Sequence, residues 1–302
     1  MPNAIVMTGF GPPDVLKWAK VPLPEPGEGE IRIKVKAAGI SPTDLALRAG
    51  YLKAFPLPPN AVLGFEAAGT VDAVGRGVAG VSFGDAVAAL LFGLGGYAEY
   101  AVASIWTRKP DSVSWLDAAA LPSSAEAAVG VLRQLDVRRG ETLLLFGGGG
   151  SVGLLATQLA VSRGIKVISA VSEHDETLAS KLGAEPVRYG AGLADRVRRL
   201  GRVDAVFDAA GKGVLADAIT LAGGPERVIT LSDPAASKFG VTLSEPTPDR
   251  APGALDETIG LLAEGRIRLR AHRSMPMQKA AEAHSQLESG KIHERIILTL
   301  DE

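Results

Sequence analysis

Four consecutive glycines, residues 147–150, follow the apolar run Thr142–Phe146 and precede a segment in which leucines recur at helical spacing. Together with a fifth glycine they form the pattern G-x-G-x-x-G. Glycines at this spacing provide a tight turn, room for backbone beside a pyrophosphate, and close packing of helix on strand. The amino end of the following helix adds unpaired N–H groups and a positive dipole end. The predicted phosphate-binding residues are Gly148, Gly150, Ser151, Val152 and Gly153.

The elements around these glycines have the order that a dinucleotide site requires. The helix after the loop ends at Gly164, and residues 166–170 have the composition of a second buried strand. Strand, helix and strand together take about 30 residues, the length of a parallel crossover. A glycine-rich loop can also simply connect two elements, but residues 203–211 and 227–231 continue the alternation of strands and helices. The sequence therefore predicts a doubly wound α/β domain that binds a dinucleotide.

The end of the second strand bears on which dinucleotide binds. NAD-binding domains usually have an acid there, about 20 residues past the glycines, but Val171 is apolar. Glu173 could bind a free ribose, and a capping box formed by Ser172 and Asp175 would need no ligand. We predict NADPH, with NADH less favoured. The side chains that could contact a 2′-phosphate are Ser172, His174 and Arg188.

The composition excludes several other classes of protein. The 302 residues carry a net charge of −2 without a block of like charge, so nucleic acid and membrane surfaces are not expected partners. The chain has no cysteine, and its four histidines have no metal-ligand spacing. The amino terminus lacks a signal peptide pattern, and glycines interrupt the apolar residues 86–106, which suggests two short strands. We therefore expect a cytoplasmic protein.

Residues 1–110 differ from the central region. They form short alternating runs broken by proline and glycine, a pattern typical of a small β-barrel. Several segments here and further on resemble the medium-chain dehydrogenase/reductases, and most closely their zinc-independent quinone oxidoreductase branch. These segments are AAGISPTDLALRAG, GFEAAGTVDAVGRGVAGVSFGDAVAAL, GGYAEY, AAALPSSAEAA and AAEAHSQLESGKIHERIILTL.

This resemblance implies a two-domain architecture. Residues 1–123 and 247–302 would form a GroES-like catalytic domain, and residues 124–246 a Rossmann dinucleotide-binding domain. Relatives form homodimers by joining the edges of their Rossmann sheets, and residues 227–231 would suit such an edge strand. A homodimer is therefore expected.

The resemblance also places three residues where zinc-dependent relatives bind their catalytic metal with Cys, His and Cys. Those positions hold Ser41, Phe65 and Ser123, and neither a hydroxyl nor a phenyl ring is a usual zinc ligand. We expect no metal. Simple alcohols are hard to oxidise without a Lewis acid, whereas quinones and enones accept hydride readily. The resemblance thus implies reduction of a quinone or an α,β-unsaturated carbonyl.

Four residues of the predicted catalytic domain are candidates for contact with substrate. Ser41 is either a polar group of the pocket or a turn residue before a proline, and Phe65 would form an apolar wall. Thr43 matches the hydroxyl that relays a proton in zinc-dependent relatives, although a local backbone hydrogen bond would also explain it. Tyr51 lies near a tyrosine that donates a proton in related enoyl reductases, and could instead line the pocket.

The remaining candidates belong to the predicted Rossmann domain. Tyr189 matches a tyrosine that contacts the adenosine end in this branch, and Ala127 replaces a threonine common near the nicotinamide. Other residues follow strands, where doubly wound sheets bind their ligands. These are Ala209, Ala210, Leu231 and Ser232. Two other functions stay open: an enoyl reductase acting on acyl thioesters, and a protein that binds NADPH without catalysis.

Overall fold

The computed structural model describes residues 1–52 and 55–300. The chain divides into two compact units. The first contains residues 1–123, 255–266 and 270–302, so that it receives segments from both ends of the sequence. The second contains residues 124–254 and 267–269.

The strands and helices are numbered in chain order. The strands are β1 (Asn3–Met7), β2 (Leu16–Lys20), β3 (Ile31–Gly39), β4 (Glu66–Val74), β5 (Ala86–Leu90), β6 (Tyr100–Ala103), β7 (Ile105–Arg108), β8 (Thr142–Phe146), β9 (Lys166–Val171), β10 (Glu185–Arg188), β11 (Ala205–Asp208), β12 (Val228–Thr230), β13 (Thr242–Leu243), β14 (His272–Pro276) and β15 (Arg295–Thr299). The α-helices are α1 (Pro42–Ala49), α2 (Trp115–Ala120), α3 (Pro122–Leu135), α4 (Ser151–Ser162), α5 (Glu176–Lys181), α6 (Leu193–Leu200), α7 (Leu215–Ala222), α8 (Ala254–Ala263) and α9 (Ala280–Glu288).

The second unit is built on a six-stranded sheet in the order β10-β9-β8-β11-β12-β13. Every neighbouring pair in it is parallel. Helices α4 to α7 connect the first five strands, which is the alternation that the sequence predicted. Strands β8 and β11 are buried almost throughout, because a parallel sheet is covered on both faces. The predicted doubly wound parallel sheet is confirmed.

The prediction that residues 227–231 form an edge strand is wrong. Strand β12 occupies this segment and pairs with β11 on one side and with β13 on the other. The edge strand on this side of the sheet is β13, whose Thr242 and Leu243 are both exposed. A two-residue strand carries little hydrophobic pattern, which explains why sequence periodicity did not indicate it.

The first unit contains a mainly antiparallel sheet in the order β14-β15-β3-β4-β5-β7, with β6 also paired to β3. Strand β15, from the end of the chain, pairs antiparallel with β3. A separate antiparallel pair is formed by β1 and β2. The core of this unit includes Ile31, Ile33 and Val35 of β3, whose side chains alternate inward as the sequence pattern predicted.

The apolar residues 86–106 fold as short strands, as predicted. They contain β5 and β6 and the first two residues of β7, so there are three strand segments rather than two. In the described part of the chain, no helix has the length and apolar character needed to cross a membrane.

Candidate functional site

The glycine loop lies between β8 and α4, as predicted. Its tight turn belongs to Gly147, whose φ is +83°, rather than to Gly148 as the motif suggested. A Cβ on Gly147 would approach the backbone of Ala209 to about 3.1 Å. The turn therefore needs glycine both for its backbone conformation and for the close approach of the loop after β11.

Two other glycines allow backbone to pack where a side chain would not fit. A Cβ on Gly148 would lie 1.8 Å from Oγ of Ser169, a hydroxyl that is buried without a hydrogen-bond partner among the described residues. A Cβ on Gly153 would lie 2.2 Å from the carbonyl oxygen of Gly147. Gly150 is the N-cap of α4 and Ser151 its first residue. The loop is thus a cradle of bare backbone at a helix amino terminus, which fits a pyrophosphate.

Tyr189 is brought to this loop by the sheet. It follows β10, and its backbone N–H donates to the carbonyl of Val171 at 3.3 Å. Its hydroxyl accepts a hydrogen bond from the backbone N–H of Gly147. Burial raises the pKa of the Tyr189 hydroxyl above its usual value, so the group stays neutral at physiological pH. Tyr189 and the predicted phosphate-binding residues therefore share one part of the second unit.

The predicted residues after β11 and β12 lie at the same edge of the sheet as the loop, because these strands run parallel to β8. A buried carboxylate that we did not predict, Asp208, shapes this edge. Its Oδ1 accepts hydrogen bonds from the backbone of Ala210 and Gly211 at 2.9 and 3.0 Å, and its Oδ2 accepts one from Thr230 Oγ1 at 2.8 Å. The sequence feature that could have indicated it is an acidic residue at the end of an apolar strand. The residues ordered at this edge include Ala209, Ala210, Leu231 and Ser232.

Acidic residues follow β9, and two of them pair with Arg188 at the end of β10. Arg188 contacts Glu173 at 3.1 Å and also binds both carboxylate oxygens of Glu176. Ser172 Oγ donates to Oδ2 of Asp175 at 3.0 Å, but the Ser172 side chain does not cap the helical turn that follows. The capping-box alternative is therefore wrong, although its two residues do interact. His174 is exposed in the same turn.

In the first unit, Ser41 begins helix α1. Its Oγ accepts the N–H of Asp44 at 3.2 Å and donates to Asp44 Oδ2 at 2.6 Å, and the Asp44 carboxylate accepts the N–H of Ser41 in return. This capping box, with Pro42 in the first turn, explains why the helix starts here. Thr43 is exposed in that same turn. The local role of Ser41 is thus a helix cap rather than a simple turn.

The three positions aligned with zinc ligands are linked to one another through carboxylates. Asp44, which caps with Ser41, also accepts the N–H of Gly64 at 2.9 Å, next to Phe65. Glu66, after Phe65, accepts the N–H of Ser123 at 3.0 Å. Burial raises the pKa of Asp44, while its hydrogen bonds oppose that shift. Within residues 1–52 and 55–300, no cluster of His, Cys, Asp or Glu could hold a metal ion.

The aromatic candidates have different surroundings. Phe65 is 8% exposed, and its ring meets that of Phe55 edge to face with centroids 6.3 Å apart. Tyr51 is 83% exposed and follows Gly50 at the end of α1, so its ring is not part of the core. Lys53 and Ala54, just beyond it, lie outside the described residues. A cavity of about 390 Å³ in the first unit is lined mostly by residues 90–104, and none of the four substrate candidates lines it.

Two buried polar groups form a contact that was not predicted from the sequence. Tyr97 and His284 are both fully buried and share a hydrogen bond of 3.2 Å between the hydroxyl and Nε2. Burial, with the positive charge of Arg48 as a smaller cause, lowers the pKa of His284 to about 3. Burial also raises the pKa of Tyr97, as does the carboxylate of Asp44 beside it. Spacing along the chain gave no sign of this contact.

Comparison with known proteins supports this architecture. The family model described as alcohol dehydrogenase GroES-like domain matches residues 27–109, and the one described as zinc-binding dehydrogenase matches residues 182–298. The predicted fold class, a GroES-like domain with a Rossmann domain, is confirmed. The second description contains the word zinc, but the positions that the motif resemblance aligns with the catalytic ligands hold Ser41, Phe65 and Ser123.

Individual relatives agree with the family models. A quinone oxidoreductase of Pseudomonas aeruginosa is 30% identical over 314 residues, which cover 95% of this chain and 96% of that protein. A 2-methylene-furan-3-one reductase of Solanum lycopersicum is 33% identical, covering 74% of this chain and 61% of that protein. The structure of Escherichia coli quinone oxidoreductase complexed with NADPH superimposes with a TM-score of 0.85 at 25% identity, covering 99% and 100% of the two chains. The chain belongs to the medium-chain dehydrogenase/reductase family, in its quinone oxidoreductase-like branch.

Proposed function

We propose that this oxidoreductase transfers hydride from NADPH to a quinone or an α,β-unsaturated carbonyl. The observation that carries the proposal is the cradle of bare backbone at Gly148 and Gly153, on a parallel sheet whose other strands end beside it. Relatives named quinone oxidoreductase and 2-methylene-furan-3-one reductase support the substrate class. A relative solved with NADPH supports the coenzyme.

We assign the coenzyme to the second unit. The first-turn N–H groups of α4, at Ser151 and Val152, would hold the pyrophosphate, and Tyr189 would lie near the adenosine end. The loops ordered by Asp208 would contact the rest of the dinucleotide. When bound, the coenzyme supplies the hydride. The chain's own contribution is to hold and orient it with backbone that a side chain would block.

We assign the substrate to the first unit, within which Ser41 and Phe65 are linked through Asp44 and the backbone of Gly64. The part of Phe65 that stays exposed, 8% of its surface, would provide an apolar contact for a flat substrate. Ser41, Phe65 and Ser123 carry hydroxyls and a phenyl ring at the positions that the resemblance aligns with zinc ligands. This favours hydride acceptors that need no Lewis acid. Thr43 and Tyr51 are exposed and remain proposed proton donors to the reduced product, with solvent as the alternative.

Stopped-flow absorbance tests this function directly. Purified protein with NADPH should consume the coenzyme when quinones or enones are added, and a crotonyl-type thioester in the same panel should react more slowly. Faster reaction with the thioester would favour the acyl-thioester reductase. Tight NADPH binding without turnover on any acceptor would contradict catalysis and favour a non-catalytic binding protein.

Two further features remain proposals. A homodimer would bury the exposed edge strand β13, which pairs with β12 on one side and can offer backbone N–H and C=O groups to a second chain on the other. Sedimentation at micromolar concentration should give twice the chain mass of 31.2 kDa, and a monomer would contradict it. The cytoplasmic location predicted from the sequence can be checked by cell fractionation.

A further inference from the structure

The carboxylate of Asp175 lies against the glycine loop. A Cβ built on Gly149 would lie 2.2 Å from Asp175 Oδ2, so the loop comes this close only because residue 149 has no side chain. Ser172 Oγ donates to the same oxygen at 3.0 Å. Asp175 follows the glycine motif by roughly 20 residues, the separation at which Rossmann domains place the acid that binds the adenosine ribose.

From the sequence, Asp175 was assigned only to a capping box and Glu173 was the candidate for ribose contact, because the strand was expected to end at Val171. Strand β9 does end at Val171, but the chain then makes a helical turn over residues 173–175. That turn carries the Asp175 carboxylate back to Gly149, so that the acid reaches the loop from four residues beyond the strand.

The charge around Asp175 is unfavourable for a phosphate. Glu173, Asp175 and Glu176 supply three carboxylates. The Arg188 guanidinium is paired with both glutamates, and the nearby Arg196 guanidinium donates to the backbone carbonyl of Arg188 at 2.7 Å. A phosphate monoester carries about −1.5 to −2 charges near pH 7. To contact it, Arg188 would have to leave its present partners while the Asp175 carboxylate remained beside the loop.

We infer that Asp175 is a coenzyme-specificity residue. Its carboxylate accepts a hydrogen bond from the adenosine ribose of NADH and repels the 2′-phosphate of NADPH, so that NADH serves this protein as a second hydride donor. Arg188 compensates part of the repulsion, and NADPH therefore still binds. The inference rests on the proposed function, because it concerns the coenzyme of the same site.

Equilibrium binding tests this without any turnover. Dissociation constants of NADH and NADPH would be measured by fluorescence, and those of 5′-ADP and 2′,5′-ADP by calorimetry, for the wild type and Asp175→Asn. Removing one negative charge should lower the dissociation constants of NADPH and 2′,5′-ADP about tenfold. NADH should bind a few times more weakly, because an amide is a poorer acceptor than a carboxylate. The matched control is Glu185→Gln, an exposed acid at the opposite end of β10, which should change neither constant.

A second variant separates repulsion from ribose contact. Glu173→Gln removes a carboxylate bound to Arg188 and should tighten NADPH while leaving NADH unchanged. An unchanged ratio of the NADPH and NADH constants in Asp175→Asn, with both coenzymes bound by the wild type, would overturn this inference alone. Binding of neither coenzyme to the wild type would instead overturn the proposed function.

Discussion

Arg295 and Glu66 form a buried ion pair between positions 229 residues apart in the sequence. Glu66 begins β4 and is fully buried, and Arg295 begins β15 near the end of the chain. Arg295 also donates to the carbonyl of Ala120 at 2.6 Å, and Glu66 accepts the N–H of Ser123. The pair therefore ties the last strand of the first unit to the segments that carry Phe65 and Ser123.

Breaking this ion pair should destabilise the protein strongly. Arg295→Met leaves the Glu66 carboxylate buried without its cation, and we expect the free energy of unfolding to fall by about 3–5 kcal/mol. Burial already lowers the pKa of Arg295 to about 10, which indicates how costly it is to desolvate this charge. Urea denaturation would measure the change.

A control and a double variant complete this test. Arg266→Met removes an exposed pair with Glu264 in the same unit and should cost under about 1 kcal/mol. The double variant Glu66→Gln with Arg295→Met should lose less than the sum of the single variants. Strictly additive losses would contradict a direct interaction.

His284 should make stability depend on pH. Its pKa is about 3 when folded and about 6.5 when unfolded. Between these two values the unfolded chain binds a proton at His284 that the folded chain does not bind. The contribution of His284 to the free energy of unfolding is therefore fully present above pH 6.5 and is lost as the pH falls towards 3. The expected contribution of this residue is a slope of up to about 1.4 kcal/mol per pH unit in that window.

Urea denaturation between pH 7 and pH 4 would measure it. His284→Gln, which keeps a group able to bond Tyr97, should show a shallower slope than the wild type. The matched control is His293→Gln at an exposed position, which should follow the wild type. Parallel curves for the wild type and the His284 variant would contradict the assignment.

A methyl group on Gly153 should damage the coenzyme site. The new Cβ would lie 2.2 Å from the carbonyl oxygen of Gly147, so the loop must move, and we expect coenzyme affinity to fall at least about tenfold with a stability cost of about 1–3 kcal/mol. Gly260→Ala is the control: this helical glycine faces open space, and alanine there should stabilise by about 0.5–1 kcal/mol. Equal coenzyme affinity in both variants would contradict the close-packing role.

Elemental analysis should find no stoichiometric zinc in the purified protein. Ser41, Phe65 and Ser123, which the motif resemblance aligns with the catalytic ligands of zinc-dependent relatives, offer no thiolate or imidazole. Chelators should accordingly leave NADPH-dependent reduction unchanged. One zinc per chain would contradict the expected absence of zinc. So would a loss of activity on adding a chelator, if adding zinc then restored the activity.

The sequence by itself predicted what depends on neighbouring residues. Strands β8 and β9, helix α4 and the glycine cradle follow from apolar periodicity and from glycine spacing within one crossover. The pairing of β12 with β13 did not follow, because a strand of two residues has too little pattern to identify. The capping box of Ser41 and Asp44 was also missed, although its residues are close in the chain.

Only the tertiary structure decided how distant polar groups are paired. The Glu66–Arg295 and Tyr97–His284 contacts join segments far apart in the sequence, and side-chain type alone does not select a partner. The same holds for Asp175, whose carboxylate lies against Gly149 because a helical turn folds it back over the loop. Periodicity and spacing report local conformation, whereas a buried charge is matched by whatever the completed fold brings within hydrogen-bond distance.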